Sequence, residues 1–238
     1  MLITIVKDFF SFIKGKTETT VNHRNNVLWI IAGYLLLLGT TVLLAIIKTI
    51  LSKLNLLTST VGGGLPDNWI AETSLLTFAI QVAILAPILE EFSFRGVLLN
   101  NRKVVICSLV ILIFVVACRI SDTGFYTISI KSSIIFVVDL ILVLILQKTI
   151  VPPIIKFTTN NIKWLIYLSS LCFAIWHYNN FNFSQANIIS VIFSFSPYFL
   201  HGLVFCWISN RKGLQASLLL HFINNALPVL IAISKHGS

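Results

Sequence analysis

Two adjacent glutamates, Glu90 and Glu91, end an apolar run, and Arg95 follows one helical turn later. A carboxylate at the rim of a membrane-like segment is costly unless it is paired, solvated or put to use. On a helix Glu91 and Arg95 stand at i,i+4 and can pair. Glu90 then points about 100° round the helix, away from that arginine, and is left free for chemistry. Three further apolar stretches carry polar groups: Phe173 to His177, Leu220 to Asn225, and His201 followed by Gly202. His221 and Asn225 share a helical face at i,i+4. A membrane histidine taken alone reads as a hydrogen-bonding bridge between helices. Glu90, His177, His221 and Asn225, however, are spread over three segments, and burying each separately would cost a few kcal/mol. A shared polar cavity is the economical arrangement. Its chemistry would be amide hydrolysis: a desolvated glutamate as general base toward water, a histidine holding the same water, and a second histidine with an asparagine amide donating to the developing oxyanion. The sequence contains neither a nucleophile-elbow serine with its triad nor an HExxH helix.

The elements that must position these groups are membrane helices. Of 238 residues, 57% are hydrophobic and 11% charged, and mean hydropathy is +0.93. A soluble domain carries roughly 25% charged residues to wet its surface. The chain is therefore read as an all-α polytopic membrane bundle, with residues 1–26 an N-terminal cytoplasmic segment and 27–238 one transmembrane domain whose core is about 70–234. The net charge of +9 comes from basic residues at the edges of apolar runs, as in cytoplasmic flanks and headgroup contacts. No basic cluster with interleaved aromatics points to nucleic acid. Cys107, Cys118, Cys172 and Cys206 show no CxxC spacing and read as buried free thiols.

Along the chain, Ile3, Val6, Phe9, Phe10 and Ile13 recur at helical spacing, with Lys7, Asp8, Ser11 and Lys14 mostly opposite. That pattern suits a helix lying in the cytoplasmic interface, or equally a frayed terminus. About seven spans, within a range of six to eight, are expected: 27–47, 70–89, 104–117 extendable to 120, 132–150, 164–177, 187–209 and 214–234. Residues 48–68 read as a loop in which Gly62-Gly63-Gly64-Leu65-Pro66 is a linker. Pro87 bends the second span, marking a cavity or a packing kink. Asp139 inside the fourth span reads as a structural hydrogen-bonding group. With the N-terminus inside, the cytoplasmic segments hold 12 Lys and Arg (7, 14, 16, 24, 95, 102, 103, 148, 156, 163, 211, 212) and the opposite side 5 (48, 53, 119, 131, 235). The positive-inside rule favours this orientation. The same boundaries place Glu90 and His177 at opposite membrane faces, so a common site requires the spans to slide.

The motifs EEFSFR (Glu90, Glu91, Arg95), FAIWH (Phe173, His177) and HFINN (His221, Asn225) resemble the EExxxR, FxxxH and HxxxN series of the CPBP family. That family comprises type II CAAX prenyl endopeptidases and bacterial bacteriocin-processing and self-immunity relatives. The resemblance covers roughly Ala86 to Leu227. It implies an intramembrane endopeptidase in which Glu90 and His177 activate water and His221 with Asn225 forms the oxyanion site. Glu91 and Arg95 would be supporting, with Arg95 a candidate contact for a substrate carboxylate. Asn224 takes the place of Asn225 only on a distorted helix, and His201 matches no motif and reads as structural. Glu90, His177 and His221 are also an acceptable zinc ligand set, although a glutamate base needs no cofactor and is preferred. The expected partners are the lipid bilayer and a peptide or protein substrate. The expected location is a bacterial cytoplasmic membrane with the N-terminus inside. The rival readings are a non-catalytic immunity or scaffold member of the family, and a small transporter or proton relay, against which the lack of paired half-repeats speaks.

Overall fold

A computed structural model describes residues 1–16, 26–58, 61–62, 74–126 and 128–236. These residues form seven helices: α1 (Leu2–Ile13), α2 (Asn26–Lys53), α3 (Leu75–Leu98), α4 (Arg102–Ile120), α5 (Ile130–Trp176), α6 (Ile188–Lys212) and α7 (Leu214–His236). The one strand pairing among them is antiparallel and two residues long, Val61–Gly62 (β1) against Phe181–Asn182 (β2). All the helices but α1 are long and apolar enough to cross a membrane. Leu35, Val42, Ile46 and Ile50 on α2 remain exposed, as expected of side chains whose solvent is lipid. The chain is an integral membrane protein of the all-α class. Gly63 to Pro66, most of the expected linker, lies outside the described residues, and α2 continues through Lys53 where a loop was expected from residue 48.

Three corrections to the expected spans matter for the site. The first is that the spans expected at 132–150 and 164–177 belong to one helical element, α5, of 47 residues. Laid straight it would measure about 70 Å. Yet Lys131 donates to the Ser121 carbonyl near one end and Arg119 to the Trp176 carbonyl at the other. Ile135 and Trp176 also pack on the same Phe114–Val115–Cys118 cluster of α4. Between them, Tyr167 donates to the Ile13 carbonyl of α1, at the far end of the bundle. The helix therefore doubles back between Ile135 and Tyr167, a stretch that contains Pro152 and Pro153, two residues that supply no amide hydrogen. Two arms exist as expected; the loop between them does not.

The second correction is that the span carrying Glu90 runs on to Leu98, closing with a 3-10 turn at Gly96–Leu98. Glu90 thus lies about 12 Å inside that end rather than on the rim. The third concerns the second arm of α5, which stops at Trp176 and gives way to a 3-10 turn, His177–Asn180, before β2. His177 consequently ends its helix inside the bundle, beside Tyr198 in the middle of α6. Sliding both boundaries removes the depth conflict.

The core lies at the end of the bundle where α1 sits. Ile5, Phe9 and Phe12 of α1 pack with Trp29, Trp207 and Ile208, while Ile3 and Phe10 stay exposed. Asp8, expected on the wet face of α1, is instead buried, accepting from Trp207 Nε1 at 2.8 Å and Arg211 Nε at 2.8 Å. The carboxylate is the group that pins α1 under α6. Asp8→Asn should weaken this clasp by about 3 kcal/mol, because it leaves Arg211 buried without its counter-charge. Faster proteolytic removal of residues 1–16 from the membrane-inserted protein is the readout. At the next contact outward, α5 and α6 approach closely: a Cβ on Gly202 would lie 2.9 Å from Ser170 Cα, the small-residue packing typical of membrane helices.

Candidate active site

Glu91 is the hub of the buried polar network. It is fully buried and meets Arg95 at 3.3 Å, one turn on, as the i,i+4 spacing requires. It also accepts from His221 Nδ1 at 2.9 Å and from the Ser217 hydroxyl. Arg95 is itself wholly buried. Its guanidinium lies 4.2 Å from the centre of the Phe173 ring and 5.4 Å from that of Phe205, and Nη2 donates to the Gly202 carbonyl. Arg95 therefore lies away from the solvent-accessible wall of the site. It ties α3 to α5 and α6, through stacking that a lysine could not reproduce.

Both histidines are fixed as to tautomer by what their Nδ1 atoms meet. His177 Nδ1 lies 2.8 Å from the Phe173 carbonyl, which can only accept, so Nδ1 carries the proton and Nε2 presents a lone pair. The ring is stacked on Tyr198 at 4.0 Å between centroids. His221 Nδ1–H is directed at Glu91, which turns its Nε2 toward Glu90 Oε2 at 3.6 Å. His221 thus stands between the two glutamates, its ring clamped by a stacking contact with Phe205 at 4.4 Å. Glu90 and His221 are both buried.

Asn225 is placed by a defect in α3. Residues Gln81–Leu85 form a π-helical turn, and the Ala86 amide pairs with the Gln81 carbonyl five residues back. In that register the next donor would serve the Val82 carbonyl, but the next residue is Pro87, which has no amide hydrogen. Asn225 Nδ2 fills the gap, donating to the Val82 carbonyl at 3.0 Å. π-turns of this kind recur at functional sites. One amide hydrogen of Asn225 is committed and the other remains. Asn225→Ala should cost about 1–3 kcal/mol, since it strands a buried carbonyl; thermal unfolding in detergent measures it. Asn224, the weaker candidate, donates to the Asn225 Oδ1 at 3.3 Å.

Glu90, His177, His221 and Asn225 line one cavity of about 1050 Å³. Its walls come from α2, α6 and α7, and Arg119, Phe125 and Tyr126 close one side. Several residues at or behind this cavity were not assigned a role by spacing. His201, read as structural, lines the cavity. Thr41 donates to the Leu37 carbonyl at 2.9 Å and so accepts from His201 Nε2 at 3.1 Å. Tyr198 backs His177, and Ser217 serves Glu91. Tyr126, in the loop after α4, has its phenol pushed up by burial and then by the nearby Glu90 charge, so it faces the cavity as an O–H. No local pattern marks a hydroxyl as a partner of a distant carboxylate; only His201, a histidine inside a span, carried a sequence signal. Asp139 stays apart from the cavity, buried on the first arm of α5 with no hydrogen-bond partner for Oδ2 among the described residues. All four cysteines are free, but only Cys118 and Cys206 are buried; Cys107 and Cys172 are exposed on the outside of the bundle.

A family model described as type II CAAX prenyl endopeptidase Rce1-like matches residues 72–227. The chain belongs to this family. No curated protein and no solved structure matches it. The Rce1-like stretch contains Glu90, Glu91, Arg95, His177, His221 and Asn225. It begins after α2, yet Thr41 and Lys48 of α2 contribute to the cavity wall. Among the described residues, no three His, Cys, Asp or Glu side chains are grouped so as to hold a metal ion. Glu90, His177 and His221 do not fit a zinc site in this arrangement.

Proposed function

We propose that this Rce1-like protein is an intramembrane endopeptidase that hydrolyses a peptide bond in a membrane-associated peptide or protein. The observation that carries the reading is the meeting of Glu90, His177 and His221, from three separate segments, in the lining of one large cavity. A water between Glu90 and the Nε2 lone pair of His177 gives its proton to the Glu90 carboxylate as its oxygen adds to the scissile carbonyl carbon. The carbonyl oxygen becomes an oxyanion, which accepts from the uncommitted amide hydrogen of Asn225. With Nδ1–H turned to Glu91, His221 donates as well only when Nε2 carries a second proton. On collapse the C–N bond breaks, and the proton held by Glu90 passes to the departing amine.

The test compares the membrane proteome of cells making the wild-type chain with that of cells making Glu90→Gln. New peptide termini present with the first and absent with the second support hydrolysis. Identical termini, with both proteins inserted at equal levels, refute it and leave an immunity or scaffolding role for the fold.

A further inference from the structure

We infer that the cavity opens on the face of the membrane away from the cytoplasm, so that its substrate is a peptide segment exposed at the outer face. This rests on the endopeptidase reading above. Among the described residues the cavity has a closed end and an open end. Its floor is Glu90, His221 and Phe205, all buried. Beneath the floor lie Glu91, Arg95 and then the core of Phe9, Trp29 and Trp207, capped by α1. Its mouth is formed by Lys48, Ser52, Arg119 and Asn179, every one exposed. Among the described residues, Glu91, Arg95 and that core stand between Glu90 and the α1 end.

The fold also sorts the charges by end. Around α1, Arg211 donates to the Lys16 carbonyl, and the Lys163 side chain lies against Gly15. Leu98, which packs with the α1 cluster, leads directly into Arg102 and Lys103. The doubling back of α5 is what brings Lys156 and Lys163 to this end. Among the described residues the open end carries Lys48, Lys53, Arg119, Lys131 and Lys235, and the α1 end carries Lys7, Lys14, Lys16, Arg102, Lys103, Lys148, Lys156, Lys163 and Lys212 besides Arg211. Arg211 is paired with Asp8, and the asymmetry survives without it. Lys and Arg in short loops and helix flanks stay on the cytoplasmic side, while acidic residues count for little. The α1 end is therefore cytoplasmic and the mouth faces outward.

The experiment reads accessibility in living cells, with Cys107 and Cys172 replaced by alanine. A membrane-impermeant maleimide should label Ser52→Cys and Asn179→Cys at least tenfold more in intact cells than it labels Lys103→Cys and Asn210→Cys. The latter pair should react only after permeabilisation. The reverse pattern, or equal labelling of both pairs in intact cells, overturns the inference; two positions at each end guard against one substitution perturbing its surroundings. Labelling does not depend on turnover. A reversed pattern with intact cleavage sinks the outward-facing site alone, whereas the expected pattern with no cleavage sinks the endopeptidase reading alone.

Discussion

Glu90→Gln is expected to lower cleavage by about 10²- to 10⁴-fold, the range over which a general base contributes, while leaving the protein inserted and folded. The substitution keeps the shape of the side chain and removes only its capacity to take a proton. It removes no hydrogen bond on which the packing depends, because Glu90 meets His221 Nε2 only at 3.6 Å, whereas the shorter contact to that ring belongs to Glu91. Quantified new termini in membranes from the two strains give the ratio, and the thermal unfolding of the purified proteins in the same detergent gives the control. A Glu90→Gln protein that cleaves at the wild-type rate would end the assignment of Glu90 as base. His177→Ala should fall in the same direction with a similarly small loss of stability, because its ring sits at the cavity edge with its Nδ1 on a backbone carbonyl.

Arg95→Leu is expected to act through folding instead, costing about 3–5 kcal/mol, the usual penalty for removing one partner of a buried ion pair. The guanidinium is wholly buried, it faces Glu91 at 3.3 Å, and it lies against the Phe173 and Phe205 rings. The double variant Glu91→Gln with Arg95→Leu should recover part of that loss, since no lone charge is then left inside. The double-mutant cycle, measured by unfolding in detergent, separates this from a substrate-binding role. A role in substrate binding would instead leave the Arg95→Leu protein as stable as wild type and weaken only turnover. The two neighbouring glutamates are thus expected to answer differently to the same change: Glu90→Gln silences the chemistry, Glu91→Gln loosens the helices.

That division was legible in part. The i,i+4 step between Glu91 and Arg95 is a property of one helix and follows from its period, so the pairing could be read directly, as could the placing of His221 and Asn225 on one face. The fourth partner of the network could not. Ser217 meets Glu91 across 126 positions of chain, and nothing in its own neighbourhood distinguishes it from other serines at helix starts. Asn225 shows a subtler limit. Its role at the Val82 carbonyl depends on the π-turn before Pro87; the proline was visible, but the register shift that decides which carbonyl it orphans was not.

Composition and the three ordered motifs determined by themselves that this is a helical membrane protein of the Rce1-like family with a cluster of four polar groups to be brought together. Those are local or additive properties: hydropathy over twenty residues, spacing within a turn. Only the tertiary structure decided how deep Glu90 lies, that α5 doubles back without a loop, that Arg95 is wholly buried, and which end of the bundle is open among the described residues. Each of these depends on contacts between helices distant in the chain, such as His221 with Glu91 across 130 positions, and packing of that kind leaves no periodicity for the sequence to display.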